Sequence, residues 1–254
     1  LSYQFLHDRV QQAAYALIPT DKKQSMHWQI GQQLLQQFDQ AAEQLTKTAL
    51  EAHPFQATFQ ATERVSSSQL FEIVNQLNAG SSLATTPESR QQLIRLNGLA
   101  GQQAKAATAY AAALAYFQES NQYLPADCWQ NDYAFVLALK CDTIEAAYLN
   151  LKLDSVAPLI AEVLSHARTI LDRIKIFEIQ IQAAIGNNHL IEAVDQGVDV
   201  LEQLGVSLLD PETVTIELPA FEQLDAVPEM SDPAKVAALR ILVSMFSAIY
   251  NGKP

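Results

Sequence analysis

The fold of this chain is decided by residues 173–206, which read RIKIFEIQIQAAIGNNHLIEAVDQGVDVLEQLGV. The first part of this stretch has the pattern of a helix and ends at a polar turn, residues 186–188. The second part places Ala193 and Gly197 one helical turn apart, and residues this small let two helices pack closely. The stretch therefore predicts two antiparallel helices joined by a short turn.

The same unit occurs a second time, 36 residues earlier in the chain. Its first helix starts near Tyr133, and its polar turn lies at residues 150–152. The small and apolar residues of its second helix, Ala157, Ala161 and Leu164, align with Ala193, Gly197 and Val200. Tetratricopeptide repeats have a similar period of about 34 residues. The repeat therefore predicts an all-α fold, a tetratricopeptide-like α-solenoid of antiparallel helix pairs.

The composition supports a helical, globular protein. Of 254 residues, 49% are hydrophobic, while there are only 8 Gly and 2 Cys. These values exclude a disordered tail, a collagen-like repeat and a disulfide-stapled secreted domain. No apolar run approaches the roughly 18 residues of a membrane span, and Cys128 and Cys141 are predicted to be reduced thiols. We therefore expect a cytoplasmic protein without membrane insertion.

Proline and capping residues mark helices in the first part of the chain. Pro19 ends a first helical segment, and Thr20 or Asp21 caps a second helix that extends to about Gln40. Residues 41–62 lose the helical period and are predicted to be irregular. These signals predict a hairpin of helices followed by a local insertion.

Two capping signals follow in the next part of the chain. Thr86 before Pro87 predicts a helix start, because proline has no N–H to leave unpaired at the first helical position. Thr108 is predicted to cap the next helix, which ends before Pro125. These signals predict two more helices.

The last segment of the chain predicts a further helix. After a long connection through residues 207–230, a cap at residues 231–232 precedes Pro233 in the first turn. Six large apolar residues lie at helical spacing on one face: Val236, Leu239, Leu242, Val243, Phe246 and Ile249. Because this face is too apolar to stand alone, we expect the natural chain to continue beyond Pro254 and to extend before Leu1.

Acidic residues are concentrated late in the chain. The protein carries 28 Asp and Glu against 16 Lys and Arg, a net charge of -12. Twelve of these carboxylates lie between residues 177 and 234, where there is no Lys or Arg. Such a surface repels phosphates, which argues against a nucleic acid ligand. The acidic stretch is interpreted either as a docking face for a basic partner or as a solvated flank.

Signatures of catalysis and of cofactor binding are missing from the sequence. Gly98 and Gly101 lie in a helical stripe and are followed by Gln102, so they do not form a phosphate-binding loop. The five histidines include no pair one turn apart, so no metal or other cofactor is predicted for this region. We interpret the His7-Asp8 pair as a structural polar contact, because the proline expected soon after a phospho-accepting histidine is missing.

In several of these segments the chain resembles the middle region of large bacterial multi-sensor signalling kinases. The match rests on FLHDRVQQAAY at residues 5–15, HWQIG at 27–31, FEIVNQLN at 71–78, Leu96-Asn97, Ala100-Gly101, Ala104-Lys105-Ala106, Thr108-Ala109-Tyr110 and Leu124-Pro125. It extends through the repeat at residues 133–206. In that family a serine/threonine kinase domain, where present, precedes an AAA-type ATPase, a tetratricopeptide-like region, GAF sensors and a histidine kinase.

The resemblance implies a place within a longer protein. Residues 1–62 would close the upstream ATPase module and carry an insertion. Residues 63–206 would be the helical repeats, and residues 207–254 would be a linker and the start of a further helix pair. ATP binding and kinase activity are implied only for the parent protein, because the family's nucleotide-binding and kinase residues have no counterparts in this sequence.

The predicted function is a non-catalytic scaffold for protein interaction or sensing in a signal-transduction kinase of the two-component type. Its partner is expected to be a protein or peptide, including neighbouring domains of the same chain. The predicted docking face on the first helices of the repeats consists of Tyr133, Val136, Lys140, Glu178 and Gln182. The alternative for this surface is that it is solvated or covered by another domain. The alternatives are a regulatory lid of an adjoining STAND or AAA-type ATPase, and a passive structural spacer.

Overall fold

The computed structural model describes residues 12–13, 15–52, 67–152, 156–207 and 230–251. Within these ranges all regular secondary structure is helical, so the all-α prediction is confirmed. The chain divides into two compact units, Leu1–Asn131 and Asp132–Pro254, which are described in turn. The division falls inside the region predicted to hold the repeats.

The described part of the first unit contains five α-helices and one 3-10 turn. They are α1 (Thr20–Ala52), α2 (Ser67–Ala79), the 3-10 turn (Ser81–Leu83), α3 (Pro87–Ala106), α4 (Tyr110–Gln122) and α5 (Cys128–Asn131). Helix α2 packs on both α1 and α3, and α3 packs on α4. Because only three residues separate α3 from α4, these two helices run antiparallel.

Helix α1 is longer than the sequence predicts. The predicted helix ends at about Gln40, with residues 41–62 irregular, whereas the observed helix continues to Ala52. Ala, Glu and Leu dominate residues 41–52, and these strong helix formers extend a helix even without an apolar period. The rest of the predicted irregular stretch, residues 53–62, lies outside the described residues.

The start of α3 confirms its sequence prediction. The hydroxyl of Thr86 accepts a hydrogen bond from the N–H of Ser89 at 3.2 Å, and Oγ of Ser89 accepts one from the N–H of Thr86 at 3.2 Å. Pro87 occupies the first helical position. This capping box satisfies N–H groups that would otherwise lack partners at the helix start.

Glycine lets helices of the first unit approach closely. A Cβ on Gly101 of α3 would lie 2.4 Å from Cε1 of Phe117, a fully buried ring on α4. A Cβ on Gly80, directly after α2, would lie 2.6 Å from the backbone oxygen of Gln24 and 2.6 Å from the backbone nitrogen of Trp28. Each of these helix contacts therefore depends on a residue without a side chain.

The described part of the second unit contains five α-helices. They are α6 (Tyr133–Leu149), α7 (Val156–His166), α8 (Ile170–Gly186), α9 (Leu190–Gln203) and α10 (Pro233–Asn251). Helix α6 packs on α7, α8 packs on α9 and contacts both α6 and α7, and α10 packs on both α8 and α9. A continuous apolar core lies between the last three helices: Ile174, Ile181, Ala184, Ala193, Val200, Leu201, Ala237, Ala238, Ile241, Met245 and Ala248.

Helices α3, α6 and α8 end in the same backbone turn. The left-handed residues of these turns are Thr108 (φ 59°), Leu151 (φ 56°) and Asn188 (φ 61°). In each turn three consecutive N–H groups bond back to carbonyls of the last helical turn, as the N–H of Leu151 does to the oxygen of Tyr148 at 3.0 Å. The polar turns predicted at residues 150–152 and 186–188 are thus confirmed.

The turn at Thr108 corrects a prediction. Thr108 was predicted to cap α4, but it ends α3, and the N-cap of α4 is Ala109, which makes no side-chain capping bond. A β-branched residue in the left-handed region is strained. The turn therefore forms because its backbone bonds close α3, in spite of the side chain at Thr108.

The left-handed residues Leu151 and Asn188 lie 37 residues apart, one more than the offset of the sequence alignment. Ala157 and Ala161 were predicted to pack closely in α7, but both are exposed, and Val163 is buried instead. One residue of offset turns a helix by about 100°, so the predicted face of α7 is wrong. The small residues predicted on α9 are buried as expected.

Candidate interaction surface

The predicted docking residue Tyr133 belongs to a cluster between α6 and the start of α8. Its hydroxyl donates to Oδ2 of Asp172 at 2.8 Å, and the guanidinium carbon of Arg168 lies 3.8 Å from its ring centroid. Oδ2 of Asp172 also accepts the backbone N–H groups of Arg168 at 2.9 Å and Thr169 at 2.8 Å. Because Asp172 lies in the first turn of α8, the cluster caps this helix and ties it to α6.

The cluster shifts two pKa values in opposite directions. Burial raises the pKa of Tyr133 above 10.0, and its hydrogen bond to Asp172 raises it further. Burial alone would also raise the pKa of Asp172, but hydrogen bonds from Tyr133 and from two backbone N–H groups outweigh it and hold this pKa below 3.8. At neutral pH a neutral phenol therefore donates to a carboxylate.

Lys140 and Glu178, two further predicted docking residues, also join helices. Nζ of Lys140 lies 2.9 Å from Oε1 of Glu162 in α7. Glu178 of α8 accepts two hydrogen bonds from Arg240 of α10, at 2.7 Å from Nε and 2.6 Å from Nη2. A two-bond pair of this kind fixes the relative orientation of the two helices as well as attracting them.

The last two predicted docking residues differ in their surroundings. Nε2 of Gln182 donates to the backbone oxygen of Ser244 in α10 at 3.0 Å. Val136 is fully buried, so it lines no exposed face. Of the five predicted residues, four therefore bond to neighbouring helices or turns of the second unit, and one lies in the interior.

A row of exposed apolar side chains follows α10. Its members are Val236 (39% exposed), Leu239 (49%), Val243 (75%), Phe246 (68%) and Tyr250 (76%). The rings of Phe246 and Tyr250 stack with their centroids 6.5 Å apart. We call these five residues the α10 seam.

The packed side of α10 lies opposite the seam. It consists of Ala237, Ala238, Ile241, Met245 and Ala248, all buried against α8 and α9. The alanines allow a close approach, and a Cβ on Gly197 of α9 would lie only 2.5 Å from Sδ of Met245. Sequence reasoning identified the large apolar residues of α10 but missed the packing role of its alanines. Their recurrence at helical spacing with Ile241 was the available signal.

The start of α10 is as predicted. Oδ1 of Asp232 accepts a hydrogen bond from the N–H of Ala234 at 2.9 Å, and Pro233 is the first helical residue. A carboxylate at this position also interacts favourably with the positive end of the helix dipole. Local capping chemistry therefore fixes where α10 begins.

The outer face of α9 is acidic. Its exposed carboxylates are Glu192, Asp195, Asp199 and Glu202. The remainder of the acidic stretch, residues 208–229, lies outside the described residues. The carboxylates of α9 are exposed, as both a docking face and a solvated flank require, so their exposure does not distinguish the two interpretations.

His27 forms hydrogen bonds with both ring nitrogens. Nδ1 lies 2.6 Å from Oε1 of Gln76, and Nε2 lies 2.6 Å from the hydroxyl oxygen of Tyr15. Among the residues that the structure describes, no three side chains are grouped so that they could hold a metal ion. His7 and His53 lie outside this part of the chain, as does most of the helix predicted before residue 19. The structural role of His7 therefore stays a prediction.

Helix α10 is long and apolar enough to cross a membrane, alone among the helices in the described ranges. The sequence predicts no apolar run of this length, because Lys235 and Arg240 interrupt the apolar residues of α10. One side of α10 is packed on α8 and α9, and the other side carries the exposed α10 seam. The absence of membrane insertion stays a prediction.

No family model, curated protein or solved structure matches this chain. The resemblance to multi-sensor kinases therefore stays a prediction.

Proposed function

We propose that this chain is a non-catalytic scaffold for protein interaction, built from tetratricopeptide-like helix pairs. The observation that carries this proposal is the repeated construction of the second unit. The first helices of its pairs, α6 and α8, end in the same left-handed turn, and α10 packs on both helices of the second pair. Stacked helix pairs of this kind present extended faces that bind peptides or other domains.

Polar contacts between successive first helices support the proposal. Tyr133 ties α6 to Asp172 of α8, and Glu178 ties α8 to Arg240 of α10. The Glu178 side chain is only 13% exposed, so its pairing with Arg240 is partly shielded from water. Contacts with such specific geometry transmit a rotation of one helix pair to the next pair.

The proposed mechanism is mechanical. In the kinase that the resemblance implies, the stack would lie between an ATPase and the GAF and histidine kinase domains. A partner that binds one curvature of the stack more tightly than another shifts the population of curvatures. The shift would then change how the neighbouring domains are presented to each other.

Binding to isolated domains tests the proposed function. The chain is titrated by calorimetry with purified ATPase, GAF and histidine kinase domains of a multi-sensor kinase, and we expect saturable binding to at least one of them. Arg240→Ala, which removes the tie between α8 and α10, should weaken this binding, whereas Gln203→Ala at an exposed position of α9 should not. Absence of binding to every domain would favour a passive spacer, and binding of ATP by the chain alone would favour the ATPase lid. Either result would overturn the proposal.

A further inference from the structure

We infer that the α10 seam is the docking site for an amphipathic α-helix of a partner protein, with acidic residues beside the partner's apolar row. The inference rests on the proposed interaction function and deepens it, because it names the surface and the chemistry of the partner. It is carried by the spacing of the seam and by the charges on its two sides.

The spacing indicates that the partner is a helix. From Val236 to Tyr250 the seam residues follow one another at alternating intervals of three and four residues. This is the pattern of the a and d positions of a coiled coil, where the side chains of one helix insert between those of another. Ile249, which is 38% exposed, lies beside this row near the end of α10. The length of the seam is about 21 Å, which a partner helix of about 14 residues would match.

The charges beside the seam indicate acidic flanks on the partner. Lys235 and Arg240 take the g and e positions on the two sides of the seam, the positions whose charges select partners in coiled coils. There is no Asp or Glu from Pro233 to Asn251. The Arg240 side chain is 50% exposed even though it pairs with Glu178, so it can accept a second carboxylate as a neighbour. Glu or Asp opposite these two cations would complement them.

A second copy of this chain fits the seam less well. In a parallel pair of α10 helices, Lys235 of one copy would lie opposite Arg240 of the other, and like charges at these positions oppose association. An antiparallel pair would bring the two Arg240 side chains close together near the centre of the contact. An acidic partner helix has neither conflict.

A membrane surface also fits less well than a helix. Helices that lie on membranes have a wide apolar face and carry Lys and Arg on the opposite face. In α10 the cations Lys235 and Arg240 lie directly beside the seam, and the opposite side, where a membrane-bound helix would carry them, is covered by α8 and α9. The spacing and the charges therefore favour a protein helix.

The experiment compares two synthetic helical peptides that share the same leucine row at three- and four-residue spacing. One peptide has Glu and the other has Lys at the flanking positions. Each is labelled and titrated with the full 254-residue chain, and binding is followed by fluorescence anisotropy. We expect the Glu-flanked peptide to bind at least about tenfold more tightly, because like charges across an interface are strongly unfavourable. The difference should shrink as the salt concentration rises.

Substitutions locate the binding on α10. Val243→Glu and Phe246→Glu should each abolish binding of the Glu-flanked peptide. Ile191→Glu is the matched control, because Ile191 is 71% exposed but belongs to α9 and not to the seam. Lys235→Glu should lower the preference for acidic flanks by about tenfold or reverse it. Circular dichroism checks that every variant keeps the helical content of the parent chain.

Four results would overturn the inference. They are equal binding of both peptides, no binding of either, sedimentation of the chain with anionic vesicles through the seam residues, and a dimer in ultracentrifugation that Val243→Glu dissociates. None of them bears on the calorimetric test with kinase domains. Failure of the docking site and failure of the scaffold function are therefore distinguishable.

Discussion

The contact between Gly101 and Phe117 allows a quantitative test of helix packing in the first unit. Gly101→Ala places a Cβ 2.4 Å from Cε1, 2.5 Å from Cδ1 and 2.9 Å from Cζ of the Phe117 ring. The ring is fully buried, so it cannot swing into solvent. Helix α3 and helix α4 must therefore separate, or the ring must leave its preferred rotamer.

Two opposing effects set the magnitude. Overpacking of a buried contact costs about 1–3 kcal/mol. Replacing glycine by alanine inside a helix contributes about 0.5–1 kcal/mol of stability. We therefore expect Gly101→Ala to lower the free energy of unfolding by about 1–2 kcal/mol. In the background of Phe117→Leu, which removes the ring, the same substitution should stabilise by about 0.5–1 kcal/mol.

Tryptophan fluorescence is a suitable probe for this prediction. The protein has two tryptophans, Trp28 and Trp129, and both lie in the first unit with Gly101 and Phe117. Urea unfolding of the parent chain, both single variants and the double variant gives a double-mutant cycle, with an expected coupling of about 2 kcal/mol. Gly197→Ala in the second unit, followed by circular dichroism, is the control; we expect a smaller loss of stability, because its obstacle is the end of the flexible Met245 side chain.

The packing argument would be refuted by either of two results. One is a higher midpoint of unfolding for Gly101→Ala in the presence of Phe117, which would show that α3 and α4 are not in close contact there. Alternatively, a coupling within about 0.5 kcal/mol of zero would show that the two sites do not interact.

Three further predictions concern the second unit. Leu151→Gly should stabilise the protein by about 0.5–1 kcal/mol and Asn188→Leu should destabilise it by about 1 kcal/mol, because both positions have positive φ and Leu151 is 80% exposed. Urea unfolding followed by circular dichroism measures both effects. A loss of stability in Leu151→Gly would contradict the turn geometry. Asp172→Asn should destabilise by about 1–2 kcal/mol at pH 7. Because the folded-state pKa of Asp172 is lowered, the stabilising effect of its charge is present above pH 3.8 and is lost as pH falls through the lowered pKa. If the difference in stability between Asp172→Asn and the parent chain is the same at pH 2 as at pH 7, the charge of Asp172 does not stabilise the fold. Burial raises the pKa of Cys141 to about 11, so its thiol should not react with iodoacetamide at pH 8 until the protein is unfolded. Mass spectrometry measures the modification, and rapid labelling of the folded protein would disprove the burial of Cys141.

Two helix starts could be predicted because their signals are local. Thr86 with Pro87, and Asp232 with Pro233, carry within a few residues the cap and the first turn that the structure shows. The left-handed turn at Thr108 could not be predicted in this way. It has no glycine, and it forms because hydrogen bonds at the end of α3 outweigh the strain of a β-branched residue.

The packed faces of the helices were harder to predict than the helices. A period wrong by one residue was enough to place Ala157 on the wrong side of α7. In α10 the large apolar residues were prominent, yet the alanines are buried, because the close approach of α9 at Gly197 leaves space only for small side chains and for Met245. Such choices depend on the shape of a neighbouring helix, which a single sequence does not contain.

Arg240 connects the proposed docking site with the proposed stack. Its guanidinium holds Glu178 of α8 by two hydrogen bonds, and its helix position places it beside the α10 seam. A carboxylate on a partner helix would share this guanidinium with Glu178, whose two bonds use two of its five N–H donors, and would draw the group toward the seam. Docking on the seam would then loosen the tie between α8 and α10 and shift the curvature of the stack. Spin labels on α8 and α10 should report a broader distance distribution when the Glu-flanked peptide binds, and an unchanged distribution would separate docking from the stack geometry.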